Sequence, residues 1–216
     1  YIANIFYMLR MINHPSLGEV VFDRISGHIS KKNQNKIEKC LFGVNFPWFF
    51  NGNTVLDKPS SLTKFDDILM MAHMMITHDS NGNSSLNSHH FHPLIELLNL
   101  PRLIKKYQLP DQIIRSQANL FLKRDKLIEP CPHIDFKQVR HLVVLYYVND
   151  CDGDTIFYNL SDCDDHRLDE LEVWRRETPK KGDIVIFDGR IFHSPSCPVK
   201  SAYRSTLNFD FLIDTL

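Results

Sequence analysis

The sequence predicts an α+β chain that is mainly β: a jelly-roll core in the C-terminal half, with N-terminal supporting helices. Three observations carry this. From Arg115 onward apolar residues recur in the short alternating runs of strands. The stretch His141-Leu142-Val143-Val144-Leu145-Tyr146-Tyr147-Val148-Asn149 is almost wholly β-branched, aromatic or aliphatic, the composition of a central strand covered on both faces. Before Arg115 the apolar spacing is helical instead and is punctuated by prolines. At 216 residues the chain is long enough for one sizeable core, and jelly rolls with added helices reach this length undivided. No linker forces a split, so the expectation is a single domain over 1–216. Residues 1–114 would be mixed, largely helical support, and 115–216 the core.

Taken in order, Phe65, Ile68, Leu69, Ala72, Met75 and Ile76 recur at helical spacing, and Thr63 with Asp66 resembles a capping box before them. Methionines 70, 71, 74 and 75 are read as packing residues of that stripe rather than a soft-metal box. Asn, Ser and Gly dominate between Asp79 and Ser88, which predicts a loop. His89, His90 and His92 then precede Pro93, a first-turn residue, and read as a helix entry in preference to a metal site. Leu94 to Tyr107 predicts one or two short helices broken at Pro101, and Pro110 to Ser116 another helical turn. Ser116 to Leu122 is strand-like, Lys123 to Lys126 a polar turn, and Asp150 to Asp154 the turn after the central strand. Thr155-Ile156-Phe157-Tyr158 begins a short strand, Ser161 to Arg176 is a charged excursion, and Asp183 to Phe187 is a buried strand between Gly182 and Gly189.

Composition narrows the function classes. Lys and Arg total 25 against 26 Asp and Glu, a formal charge of −1, which gives no support for a nucleic-acid or anionic-membrane binder. No apolar stretch approaches the roughly 18–20 residues of a membrane span, and no signal peptide is visible near Tyr1. Cys40, Cys131, Cys151, Cys163 and Cys197 are odd in number and lack C-x-x-C spacing, so free thiols in a reducing, cytoplasmic compartment are expected.

The chemistry is carried by His133-Ile134-Asp135, then His193 and Arg204. In an extended segment alternate side chains share a face, so His133 and Asp135 can both aim into a barrel. His193 follows the strand ending at Phe187 and would be delivered by a later one. Two imidazoles and one carboxylate leave positions open on a metal, the arrangement by which non-haem Fe(II) admits a cosubstrate and O₂. Arg204 opens a run in which Leu207, Phe209 and Phe211 alternate with polar residues, so Arg204, Thr206 and Asn208 share the cavity face. A guanidinium there can hold a remote carboxylate in a two-pronged contact.

These residues, with Leu145-Tyr146-Tyr147-Val148-Asn149, Gly153-Asp154-Thr155-Ile156-Phe157 and Pro179-Lys180-Lys181-Gly182-Asp183, resemble the Fe(II)/2-oxoglutarate-dependent oxygenases, on the prolyl 4-hydroxylase-like side. Residues 115–213 carry the resemblance. Phe46-Pro47-Trp48-Phe49-Phe50, Arg115 to Leu122 with its Ala-Asn-Leu core, and Phe187-Asp188-Gly189 extend it toward a branch common in phage and marine bacterial genomes, whose members would work in the host cytoplasm if phage-encoded.

The resemblance implies a double-stranded β-helix, the cupin-like jelly roll. It implies that His133, Asp135 and His193 bind Fe(II), that Arg204 pairs with the distal carboxylate of 2-oxoglutarate, and that the Tyr147 phenol donates to the same carboxylate. Tyr146 would then point away, while Asn119 and Phe121 are further candidates for the cavity wall. Oxidative decarboxylation to succinate and CO₂ would be coupled to hydroxylation by O₂, with ascorbate as auxiliary reductant. The carboxylate at Asp135 favours hydroxylation, because halogenating relatives carry a small residue there.

Asp152-Gly153-Asp154-Thr155 replaces the usual Gly-Gly-Glu-Thr, and Ser194 to Pro198 is this chain's own, so prolyl specificity is not carried over. The substrate stays open between a small molecule and a protein. Two other classes stay open as well: a cupin-like metal-binding or sensing protein without turnover, and a nucleobase-modifying or repair oxygenase.

Overall fold

A computed structural model of the chain describes residues 9–52, 65, 68–78, 84–128, 130–137, 139–161 and 167–215, the side chains of 214 and 215 excepted. The strands are β1 (Met11–His14), β2 (Gly18–Ile25), β3 (Phe49–Asn51), β4 (Met70–His78), β5 (Ser84–Leu86), β6 (Ile113–Leu122), β7 (Val139–Tyr147), β8 (Thr155–Ser161), β9 (Val173–Glu177), β10 (Ile184–Asp188), β11 (Ile191–Pro195) and β12 (Tyr203–Thr215). The helices are α1 (Lys31–Leu41), α2 (Phe91–Leu97) and α3 (Leu100–Tyr107). The fold is mainly β, as expected. Nine strands form one sheet in the order β1-β2-β10-β7-β12-β6-β4-β3, with β5 on β4, and three form a second, β11-β8-β9. Every pairing within these sheets is antiparallel.

Alternation along the central strands divides the core. On β7, Leu142, Val144 and Tyr146 pack with Ile184 and Ile186 of β10, Leu207, Phe209 and Phe211 of β12, and the buried faces of the helices. Val143, Leu145 and Tyr147 face the other way, with Val185, Phe187 and Phe157. Tyr146 thus points away from Tyr147, as the strand period predicts. The second face of the large sheet is the one opposed to the three-stranded sheet, and the cavity lies there.

Several local expectations are corrected. The N-terminal portion is not largely helical: β1, β2, β3, β4 and β5 precede α2 and belong to the large sheet. The stripe ending at Ile76 is strand β4, paired with β6, and a bulge between Met74 and Ile76 breaks its alternation. That extra residue puts both Met75 and Ile76 into the core and gives a spacing that imitates a helix. Two of the four methionines pack as expected: Met75 joins the main core and Met70 a smaller cluster with Phe121, while Met71 and Met74 are half-buried.

Pro110 to Ser116 is not a helical turn, since β6 starts at Ile113. The segment after Ser161 contains β9. Part of the loop expected from Asp79 to Ser88 is β5, and residues 79–83, like Thr63 and Asp66, lie outside the described residues. Helices α2 and α3 are separate; the break is at Asn99, whose φ of 51° is left-handed, and Pro101 follows in the first turn of α3.

Candidate metal and anion site

His133 and His193 are brought together by the backbone before their side chains meet. The two residues form an isolated antiparallel bridge, His133 N–H donating to the His193 carbonyl at 3.0 Å and the reverse at 2.9 Å. Asp135 follows at a bend. The strand expected for the H-x-D is therefore only an extended piece docked on β11. His133 Nε2 lies 3.8 Å from Asp135 Oδ1, and His193 Nε2 lies 3.7 Å from Oδ2. Both distances exceed a hydrogen bond. One donor atom from each residue lies within 4.8 Å of the others, the clustering of ligands around one ion. His193 Nδ1 donates to the Ile191 carbonyl at 3.1 Å, which leaves Nε2 with its lone pair toward Asp135. Among the described residues Asp135 Oδ2 is buried without a hydrogen-bond partner, an orphan that a cation would satisfy. Imidazole and carboxylate suit Fe(II), so the residues fit the metal the resemblance implies.

Burial pushes the His193 imidazole down to about 4, against the pull of Asp135, and lowers His133 in the same sense. Asp135 is held well below the carboxylate range; Arg115 and the two histidines outweigh its burial. A folded-state pKa below the unfolded value of about 6.5 means that folding releases a proton between pH 6.5 and 4. The stability tied to a neutral His193 is fully present above pH 6.5 and is lost as pH falls toward 4. Metal-free protein is therefore expected to lose roughly 1–3 kcal/mol across that window. Urea unfolding at stepped pH checks this, and His193→Gln should flatten the profile.

The triad lines a cavity of about 410 Å³, within the range of small-molecule sites. Arg204 lies in its wall, 2% exposed. Its Nε donates to the Gly153 carbonyl at 3.0 Å and its Nη2 to Thr155 Oγ1 at 2.7 Å. Phe121 lies under the guanidinium, 5.6 Å from ring centroid to Cζ. Among the described residues no carboxylate stands at ion-pair distance from Arg204, and burial pushes its pKa down. A buried cation without a counter-charge is costly, and an anionic ligand relieves it.

Tyr147 is fully buried behind this wall, its hydroxyl 2.9 Å from Thr155 Oγ1, and burial pushes its pKa up to about 12. Thr155 thus joins Tyr147 to Arg204.

The departure at Asp152-Gly153 has a structural reason. The Asp152 carboxylate accepts from the backbone N–H groups of Val199, Lys200 and Ser201 at 3.0, 2.9 and 2.8 Å, and those bonds depress its pKa despite a desolvation cost. This ties down the chain leading to Arg204. A Cβ on Gly153 would sit 2.5 Å from the Ser196 carbonyl oxygen and 3.0 Å from Pro198 N, both backbone atoms that cannot swing aside. Gly153→Ala is expected to cost about 1–3 kcal/mol by overpacking, read from thermal or urea unfolding. It should also disturb the carbonyl that receives Arg204 Nε.

The register of β12 with β6 sets a polar ladder along one cavity wall: Thr206 opposite Asn119, Asn208 opposite Gln117, and Asp210 opposite Arg115. Thr206 Oγ1 and Asn208 Oδ1 are buried without partners among the described residues. Asn119 and Phe121 line the cavity with Arg204, Thr206 and Asn208, as the alternation of both strands requires. Arg115, at the far end, pairs with both Asp135 and Asp210. Burial and the nearby Asp135 push the Asp210 carboxyl up, against Arg115.

Of the five residues singled out from sequence, His133, Asp135, His193 and Arg204 share this cavity, and Tyr147 touches it through Thr155. His89, His90 and His92 enter none of the metal-compatible groups among the described residues. His90 is buried at the entry of α2, its Nε2 3.1 Å from the Asn45 carbonyl, while His89 and His92 are exposed. Cys131 is buried in an apolar cluster with Ile156 and Tyr158, a packing role. Cys40, Cys131, Cys151 and Cys197 form no disulfide among the described residues, and Cys163 lies outside them. No helix among the described residues is long and apolar enough to cross a membrane.

No protein-family model and no curated protein sequence matches the chain. Solved structures do. A 2OG-Fe(II) oxygenase family oxidoreductase from Burkholderia pseudomallei superposes with a TM-score of 0.60 at 15% identity, covering 88% of this chain and 84% of that one. The epimerase SnoN from nogalamycin biosynthesis, in complex with Fe3+, alpha ketoglutarate and nogalamycin RO, gives 0.58 at 13%, covering 88% and 78%. A Pseudomonas putida prolyl-4-hydroxylase gives 0.52 at 12%, covering 88% and 92%. At these identities the likeness is one of fold: this chain has the jelly-roll architecture of such oxygenases.

Proposed function

We propose that this chain is an Fe(II)- and 2-oxoglutarate-dependent dioxygenase that hydroxylates a small-molecule or protein substrate. One observation carries the reading. One cavity has a two-histidine, one-carboxylate cluster in one part of its wall and, in another, a buried arginine with no carboxylate partner among the described residues. A protein that merely stores or senses a metal has no use for the second feature. Kinship with a phage or marine bacterial branch is supported by the sequence motifs alone.

His133 Nε2, His193 Nε2 and Asp135 would hold the ion, and Arg204 the distal carboxylate of 2-oxoglutarate. Bound there, iron and 2-oxoglutarate supply the oxidising chemistry, in which decarboxylation to succinate and CO₂ is coupled to hydroxylation by O₂. The protein's part is to place and to shield. Thr155 fixes the Arg204 fork, with Tyr147 hydrogen-bonded behind it. Val143, Leu145 and Phe187 give the cavity an apolar side that limits water. Thr206 and Asn208 offer hydrogen bonds to whatever lies between the anion end and the ion.

Anaerobically purified protein given Fe(II), ascorbate and 2-oxoglutarate, then O₂, is expected to release succinate slowly even without substrate. Succinate no higher than in a His133→Ala control, with iron and 2-oxoglutarate shown to bind, would leave a binding protein rather than an enzyme.

A further inference from the structure

Asp135 is the proposed ligand that the backbone holds least. It lies at a bend, two residues beyond the isolated bridge at His133, whereas His193 sits within β11. A carboxylate so placed can turn about its own bonds. Its orientation therefore has to come from side chains.

Arg115 supplies it. The guanidinium reaches Asp135 Oδ1 through Nη2 and Asp210 Oδ2 through Nε, the latter at 2.6 Å. Asp210 is fully buried, and it stands directly opposite Arg115 in the β12–β6 register. Phe136 packs on the guanidinium, 5.3 Å from Cζ to ring centroid. The planar fork of arginine can take two carboxylates at once in fixed directions, which a lysine ammonium cannot. Asp135 Oδ1 lies 3.8 Å from His133 Nε2 but is occupied by Arg115, whereas Oδ2, 3.7 Å from His193 Nε2, has no hydrogen-bond partner among the described residues.

Resting on the oxygenase reading, we propose that Arg115, braced by Asp210, is a positioning residue that occupies one oxygen of Asp135 so that the other is the one left to ligate the metal. One-oxygen ligation leaves a coordination position that a chelating carboxylate would take. That position is needed when a two-pronged cosubstrate and O₂ bind the same ion. The arrangement also accounts for a second cluster with ligand spacing, Asp135, His141 and Asp210. A guanidinium already bridges its two carboxylates, so its counter-ion is built in.

The double variant Arg115→Met/Asp210→Asn removes the guanidinium together with the carboxyl that braces it, so the brace is lost without leaving the Asp210 carboxyl buried and unpaired. Co(II), whose visible spectrum reports coordination number, is the probe. The folded double variant is expected to bind Co(II) about tenfold or more weakly, the usual size of effect when a residue orienting a ligand is lost. Its spectrum should shift toward higher coordination. Arg115→Lys, measured the same way, should fall between it and the wild type.

Wild-type affinity and spectrum in the double variant would overturn the proposal. If that variant fails to fold, an unaltered Arg115→Lys would overturn it equally. Failure of the wild-type protein itself to bind Co(II), with His133→Ala no different, would instead bring down the oxygenase reading on which this rests.

Discussion

Asp135→Ala is expected to abolish ferrous-iron binding and to reduce 2-oxoglutarate turnover to the no-enzyme background. The carboxylate is the one anionic member of the triad. Without it, two neutral imidazoles would face the cation with the Arg115 guanidinium close by, so a donor is lost and an unshielded repulsion gained. The loss in affinity should exceed roughly a hundredfold, beyond what altering a supporting residue costs. The fold should survive, because Arg115 keeps its ion pair with Asp210. Calorimetric titration with Fe(II) under anaerobic conditions, beside circular dichroism, separates the two effects. A well-folded Asp135→Ala protein that binds iron and releases succinate normally would show that the triad has been misassigned.

The part of this site legible in the sequence is the part set by strand period. Arg204, Thr206 and Asn208 share a face because β12 is regular over that stretch, and Tyr146 and Tyr147 diverge for the same reason. Irregular backbone was harder to read. The bulge in β4 adds one residue to its alternation, and apolar residues then fall at helical intervals over Met70–His78. Periodicity cannot distinguish the two. His133 and Asp135 do reach one cavity, but through an isolated bridge and a bend rather than a strand.

Two residues escaped sequence reading for a different reason. Thr155 ends the Asp152-Gly153-Asp154-Thr155 segment, and its place in a motif was the available signal. Its bonds to Arg204 and Tyr147 come from pairing of elements distant in sequence. Arg115 stands where the expected helical turn of Pro110 to Ser116 overlaps the start of the strand-like region, so its alternation with Gln117 and Asn119 gave it no role; the shared period from 115 to 119 was the signal. Its partner Asp210 lies 95 residues away, a distance over which a single sequence carries no pairing information.

Arg204→Met should separate the anion end of the cavity from its metal end. The substitution keeps an unbranched, flexible side chain and removes the guanidinium, so the apolar contact with Phe121 can persist while the donors to Gly153 and Thr155 are lost. A charge-assisted contact with a carboxylate contributes about 1.5–3 kcal/mol, or roughly tenfold to a hundredfold in affinity. The 2-oxoglutarate concentration for half-maximal succinate release should therefore rise by that factor. Fe(II) affinity without 2-oxoglutarate should move less than about twofold, since Arg204 engages Gly153 and Thr155 rather than any of the three proposed ligands. A shorter 2-oxo acid without the distal carboxylate should lose the distinction, binding wild type and variant alike. Equal loss of iron and 2-oxoglutarate binding would mean that Arg204 serves the fold, and the cavity would then lack its dicarboxylate anchor.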